Sequence, residues 1–129
     1  MRRFCILAAA FCLVIPTYAQ AQAPDRNFVV FFESWSGAVD ATAQSVIVAA
    51  AKAANAEPSD KVILTGTADP TGSARANALV SALRTQQVAD ALVAAGVSAA
   101  RIDQNALGGT EYVFSSIEAR RVTIAIGGK

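Results

Sequence analysis

The sequence predicts an α/β domain: a two-layer sandwich in which a mixed β-α-β-α-β-β sheet carries both helices on one face. Three observations lead there. Short β-branched or aromatic runs recur at four places, long alanine-rich stretches separate the first three, and turn-forming residues punctuate every junction. Two strand–helix–strand units in one sheet both cross over right-handed, so the helices stack on the same side and the pairing is at least partly parallel.

The elements follow in order. Phe28-Val29-Val30-Phe31-Phe32 is apolar without interruption, the pattern of a strand buried on both faces. Ser34 to Gly37 breaks the run. Asp40 is suited to cap a helix reaching about Asn55, whose alanines with Val46, Ile47, Ala50 and Ala54 form an apolar side. Pro58 disfavours helical geometry in the residue before it and ends that segment. Lys61 to Thr65 is a second strand, and a turn at Asp69 to Gly72 leads into a second helix from about Ala74 to Ala95. Gly96 fits the left-handed position after a helix, with Val97 making the accompanying apolar contact. Arg101 to Leu107 is a short third strand broken by Gly108-Gly109, and Arg121 to Ile126 alternates as a fourth. No internal repeat is present.

The N-terminus addresses the compartment. Met1-Arg2-Arg3 is a short positive region, Phe4 to Ile15 is apolar and uncharged, and Ala19-Gln20-Ala21 places small residues around a cleavage point. This is the layout of a secretory signal peptide over residues 1–21, removed on export to the periplasm; cuts after Ala19 or Ala23 are the alternatives. The apolar run is shorter than the roughly 20 residues a membrane span requires, so the mature chain is expected to have no transmembrane span. Residues 22–27 then form a short polar tail and residues 28–129 the domain.

Cleavage removes both cysteines, Cys5 and Cys12, so the mature domain can form no disulfide. Cys12 is a poor lipid-attachment cysteine because bulky Phe11 precedes it. Loss of Arg2 and Arg3 takes the formal charge from +1 to about −1, which gives no support to nucleic-acid binding. The chain has no histidine, and so lacks the commonest general base and the commonest zinc ligand. No cofactor is expected.

Candidate function concentrates in Thr65 to Ser73, continuing through Asn77, Ser81 and Arg84. Asp69, Pro70 and Gly72 are the first, second and fourth residues of a type I turn, and on those residues alone Asp69 reads first as a turn former. Asn77, Ser81, Arg84 and Val88 share one helical face, with Leu79, Val80, Leu83 and Leu92 largely on another side within reach of the core. The polar stripe is either a solvated face or one wall of a site opening beside Asp69, since ligands of open α/β sheets bind outside strand ends.

These residues resemble the OmpA-like domain family. That family carries, after its second strand, a run written roughly Gly-His-Thr-Asp-x-x-Gly, then Asn, Leu-Ser and Arg on the next helix. Here Gly66-Thr67-Ala68-Asp69-Pro70-Thr71-Gly72 is followed by Asn77, Val80-Ser81 and Arg84 at the same spacings. Gly96-Val97 with Arg101-Ile102 is similar to the family's helix exit, Arg120-Arg121-Val122 to its closing strand, and Phe31-Phe32-Glu33-Ser34 to its opening one. The match covers nearly all of the mature chain.

The resemblance implies non-catalytic binding of peptidoglycan through the diaminopimelate of the stem peptide. Asp69 and Arg84 are the implied ligand residues and Asn77 orients the loop or the ligand, with Thr67, Ser81 and Arg120 in supporting places. Diaminopimelate carries ammonium and carboxylate groups together. A carboxylate accepts from the first, and a planar guanidinium holds the second through two parallel charged hydrogen bonds. Departures from the family pattern weaken the expected site: Thr67 and Ala68 stand for His and Thr, Ala119 for Asn, and the stretch from Gly108 to Glu118 is short.

A second reading keeps the fold as a structural or protein-interaction module of the cell envelope, with other envelope proteins as partners. An enzyme ranks third, because it would rest on Asp69 as the acid or base. Gly66 to Gly72 is no phosphate loop, since Ser73 stands where Lys is required. Trp35 is either packing beside the first strand, the commoner role, or a platform for stacking carbohydrate.

Overall fold

The computed structural model describes residues 26–109 and 116–127. The expected signal segment, residues 1–21, lies outside them. The elements are β1 (Asn27–Phe31), α1 (Ala41–Ala56), β2 (Val62–Ala68), α2 (Ala74–Ala94), β3 (Ile102–Gly109), the short α3 (Ser116–Ala119) and β4 (Arg121–Ile126). They build one four-stranded sheet in the order β1-β4-β2-β3. β2 and β3 pair in parallel, and β4 runs antiparallel to both of its neighbours. The mixed sheet with two long helices is the predicted α/β class.

Local chemistry starts and stops the helices as expected. Asp40 Oδ1 accepts from the Ala43 amide at 2.7 Å and caps α1. Ser73 Oγ accepts from the Ala76 amide at 3.1 Å at the start of α2. Gly96, at φ 101°, lets the chain leave α2 so that the Val97 amide reaches back to the Leu92 carbonyl at 3.0 Å. Val97 itself is buried.

Four expectations change. Phe28 to Phe32 is not buried on both faces, because β1 is an edge strand: Val30 points into the core while Phe31 is half exposed. An uninterrupted apolar run cannot distinguish a central strand from an edge strand under a helix. Asn27 already belongs to β1, and Arg26 pairs with Asp60 and donates to the Ile126 carbonyl at 3.1 Å, so the last residues of the expected tail are part of the domain. Arg101 lies just before β3 rather than in it. Its guanidinium donates to the carbonyls of Asp60, Ala54 and Glu57 at 2.9, 2.8 and 3.0 Å, which ties down the end of α1. Gly108 and Gly109 do not break β3, which continues through them with a register shift opposite Gly66–Ala68.

A fifth correction concerns α2. The stripe of Asn77, Ser81, Arg84 and Val88 faces inward, with Thr85, Ala89 and Leu92 also buried. Leu79 and Leu83, expected to reach the core, are 63% and 48% exposed. Glycine explains the inversion. A Cβ at Gly66 would collide with Thr85 Oγ1 and lie 2.8 Å from the Ser81 carbonyl, and one at Gly108 would lie 3.4 Å from the Ala78 backbone. The helix therefore sits almost on the sheet, where only small side chains fit. Their hydroxyls are satisfied: Thr85 Oγ1 donates to the Ser81 carbonyl at 2.7 Å, and Ser81 Oγ donates to Ala78 O and accepts from the Gly108 amide. The apolar core proper joins Ile47, Ala50 and Ala54 of α1 to Val88 and Leu92 of α2 over Val30, Val62, Leu64, Val122 and Ile124.

Two stability measurements check this packing. Leu92→Ala is expected to cost about 2–5 kcal/mol in urea unfolding, whereas Leu79→Ala changes stability by less than about 0.5 kcal/mol. Equal losses at the two positions would contradict the inward stripe. Gly66→Ala forces the helix off the strand and is expected to cost about 1–3 kcal/mol in the same assay.

Candidate functional site

The C-terminal end of β2 and the loops around it gather the charged residues. Asp69 follows β2 directly and is largely buried. Its Oδ1 accepts from Thr71 Oγ1 at 2.6 Å, a bond within the loop that follows β2. Its Oδ2 faces Arg120 Nη1 across an ion pair of 3.5 Å, long enough to be a loose contact. Arg120 Nε donates to the Phe32 carbonyl at 3.1 Å, while the Phe32 amide donates to the Arg120 carbonyl at 2.8 Å.

Arg84 lies behind this pair and is only 1% exposed. Nε donates to Ser36 O at 2.8 Å, Nη2 to Glu33 O at 2.9 Å and Nη1 to Thr67 O at 3.4 Å, with the guanidinium carbon 5.5 Å from the centre of the Phe32 ring. One side chain of α2 thus holds the β1–α1 loop against the end of β2. Burial pushes its pKa below the usual guanidinium value; the charge of Asp69 opposes that shift and the charge of Arg120 adds to it. A guanidinium starts so basic that Arg84 stays charged at neutral pH. Of its five N–H donors, those three are committed to backbone and one remains on each Nη nitrogen.

The other candidates are placed differently. Thr67 Oγ1 donates to the Ala119 carbonyl at 2.6 Å and joins α3 to β2, while Ser81 bonds β3 as described above. Both hydroxyls serve the packing. Asn77 is buried, and its Oδ1 has no hydrogen-bond partner among the described residues. It borders a cavity of about 340 Å³ lined also by Pro70, Gly72, Ala74, Ala78 and the end of β3. The structure brings Asp69, Arg84 and Arg120 together and sets Asn77 to one side.

Trp35 reaches this end of the sheet as well. It is 53% exposed, and its φ of 54° lies in the left-handed region that a bulky residue rarely adopts. The indole rests on Gly72, where an added Cβ would lie 2.6 Å from Cη2. Gly72 is itself at φ 91°, so both its backbone and its missing side chain are required. The sequence put Phe32 in the first strand and left Trp35 as packing or a platform, without the contacts that this segment makes to Arg84 and to Gly72.

Among the described residues no group of side chains is arranged to hold a metal ion, and no helix is long and apolar enough to cross a membrane.

Residues 31–122, from the last residue of β1 into β4, match the model of the OmpA family and take in Asp69, Arg84 and Arg120. The chain belongs to the OmpA family. Solved structures agree on the OmpA-type fold. The peptidoglycan-associated lipoprotein from Burkholderia pseudomallei superposes with a TM-score of 0.70 at 22% identity, over 77% of this chain and 89% of that one. The OmpA-like domain of FopA1 from Francisella tularensis gives 0.71 at 18% identity, over 76% and 69%. The C-terminal domain of Helicobacter pylori MotB gives 0.70 at 20%, over 78% and 84%. No curated protein sequence matches the chain.

Replacing Arg84 tests its structural role. Arg84→Lys retains the charge, but its single nitrogen cannot span carbonyls now met by three different guanidinium nitrogens, and it is expected to lower stability by about 2–4 kcal/mol in thermal or urea unfolding. Arg75→Lys, on an exposed position of the same helix, is the comparison and should stay within about 0.5 kcal/mol of the parent.

Proposed function

We propose that this domain is a non-catalytic, periplasmic binder of peptidoglycan, exported through removal of residues 1–21, and that it grips the diaminopimelate of the stem peptide. The observation that carries the proposal is the Asp69 carboxylate set against Arg120, with the Arg84 guanidinium close behind. One anion beside two cations complements a ligand end that bears an ammonium and a carboxylate. Membership of the OmpA family, and the likeness in fold to a peptidoglycan-associated lipoprotein, support the same reading.

The chemistry runs as an exchange of partners. The Asp69–Arg120 contact is loose, so a ligand ammonium can take the Asp69 Oδ2 position while its carboxylate moves onto Arg120. The two uncommitted N–H groups of Arg84 supply a further pair of donors if the β1–α1 loop shifts by a small distance. Partial exclusion of water around Asp69 and Arg120 strengthens each contact relative to bulk solvent. Neither acid–base nor covalent chemistry is needed.

One observation favours a second reading. Arg84, the residue that most resembles a ligand contact by its place in the motif, already has three backbone partners and is almost completely covered. A fold that uses this arginine as internal scaffolding could serve instead as an envelope protein-interaction module.

Co-sedimentation with purified sacculi separates the two. The parent domain is expected to sediment with the wall, free diaminopimelate to release it, and Asp69→Asn to weaken it about tenfold or more, the equivalent of about 1.4 kcal/mol. Arg120→Ala should weaken it in the same direction while the domain stays folded. Parent protein that remains in the supernatant would remove the wall-binding reading and favour the interaction module.

A further inference from the structure

We infer that Trp35 is a stacking plate for a pyranose ring, so that the domain takes hold of the sugar as well as the peptide of its wall ligand. This rests on the stem-peptide reading given above. An indole presents a broad apolar face with one polar edge, and the C–H-rich face of a sugar ring is its natural complement.

Three features set Trp35 apart from an aromatic residue that only fills space. It lies outside the apolar core and keeps 53% of its surface exposed. Its backbone is held at φ 54°, a conformation costly for a large side chain, and strained backbones persist where the surroundings over-determine them. Those surroundings are specific. The carbonyls of Glu33 and Ser36, on either side of it, both accept from Arg84, and the edge of its ring rests on Gly72 of the opposite loop. The plate is therefore aimed, from both ends, at the loop that carries Asp69.

The reach agrees. Gly72 is three residues from Asp69, so the indole edge lies within roughly 10 Å of the carboxylate-bearing residue. In a stem peptide the diaminopimelate is the third residue. Two residues and a lactyl ether separate it from its sugar, again roughly 10 Å when extended. A ligand anchored at Asp69 by its diaminopimelate can lay its first sugar on Trp35. Recognition of this kind would discriminate whole muropeptides from free peptides.

Trp35 is the only tryptophan in the chain, so its own fluorescence reports the contact. The test titrates the domain with two ligands: a sugar-free stem peptide ending in D-alanine, and the same peptide on its N-acetylglucosaminyl-N-acetylmuramyl disaccharide. The parent is expected to bind the disaccharide form roughly tenfold more tightly, with a change in tryptophan emission that the bare peptide does not produce. Trp35→Gly, which suits the left-handed backbone, should erase that tenfold margin, read by calorimetry as the ratio of its affinities for the two ligands. Trp35→Phe should keep part of the margin. Equal affinity of the parent for the two ligands would overturn the sugar plate and leave the stem-peptide reading intact. Binding of the disaccharide form alone would support the plate and count against diaminopimelate as the anchor. Failure of both ligands to bind overturns the two together.

Discussion

The buried guanidinium of Arg84 holds together the end of the molecule where the charges collect. It projects from α2 and donates to backbone carbonyls at Glu33, Ser36 and Thr67 while lying over Phe32. A cation so deeply placed needs partners on every side, and here most of them are main-chain dipoles rather than one opposite charge. The consequence spreads outward. Phe32 is locked between Arg84 and the two backbone bonds to Arg120, and Arg120 in turn reaches Asp69. The segment from Phe32 to Ser36, whose one internal backbone bond closes a turn from the Ser36 amide to the Glu33 carbonyl at 3.2 Å, is held in place by these arginines.

This arrangement depends on how closely α2 approaches the sheet. Gly66 and Gly108 remove the two side chains that would hold the helix away, and Ala78, Ser81 and Thr85 fit the narrow gap. The first half of the helix accordingly buries polar groups and exposes Leu79 and Leu83, the reverse of the usual amphipathic rule, while Val88 and Leu92 in the second half follow it. Every hydroxyl on the buried side has a partner within the helix or in β3, so the inversion leaves little unsatisfied polarity beyond the Asn77 oxygen.

The legible parts of the fold were those governed by local chemistry. Asp40, Gly96 and the β-branched runs at Val62–Leu64 and Val122–Ile126 act through caps, left-handed backbone and strand preference, which neighbours in sequence determine. The illegible parts are tertiary. Nothing local distinguishes Phe28–Phe32 as an edge strand, because an overlying helix hides one face of a run just as effectively as a second layer would. The buried face of α2 is set by glycines in two different strands. For the site, spacing left the Asn77–Arg84 stripe open between a solvated face and a wall beside Asp69, and only the family resemblance singled out Asp69 and Arg84; neither foretold the covering of Arg84 by carbonyls from a loop about fifty positions earlier. Thr67 and Ser81 lie close to the site and yet turn their hydroxyls to the scaffold. Proximity to the motif did not reveal direction.

The order of strands has a further consequence for how the chain becomes a domain. β4 is the last strand to be made and occupies an interior place, between β1 and β2. β1 and β2 run the same way but stand two strand spacings apart, about 10 Å, and share no ladder until residues 121–126 thread between them. A partial chain can assemble β2, α2 and β3 as a local unit, while β1 must wait for a partner nearly a hundred residues away. Closure is therefore a late, non-local event of the kind that slows folding. Loss of residues 121–126 would not fray an edge; it would divide the sheet and leave β1 with no hydrogen-bonded partner strand, held to the rest only through its packing on α1.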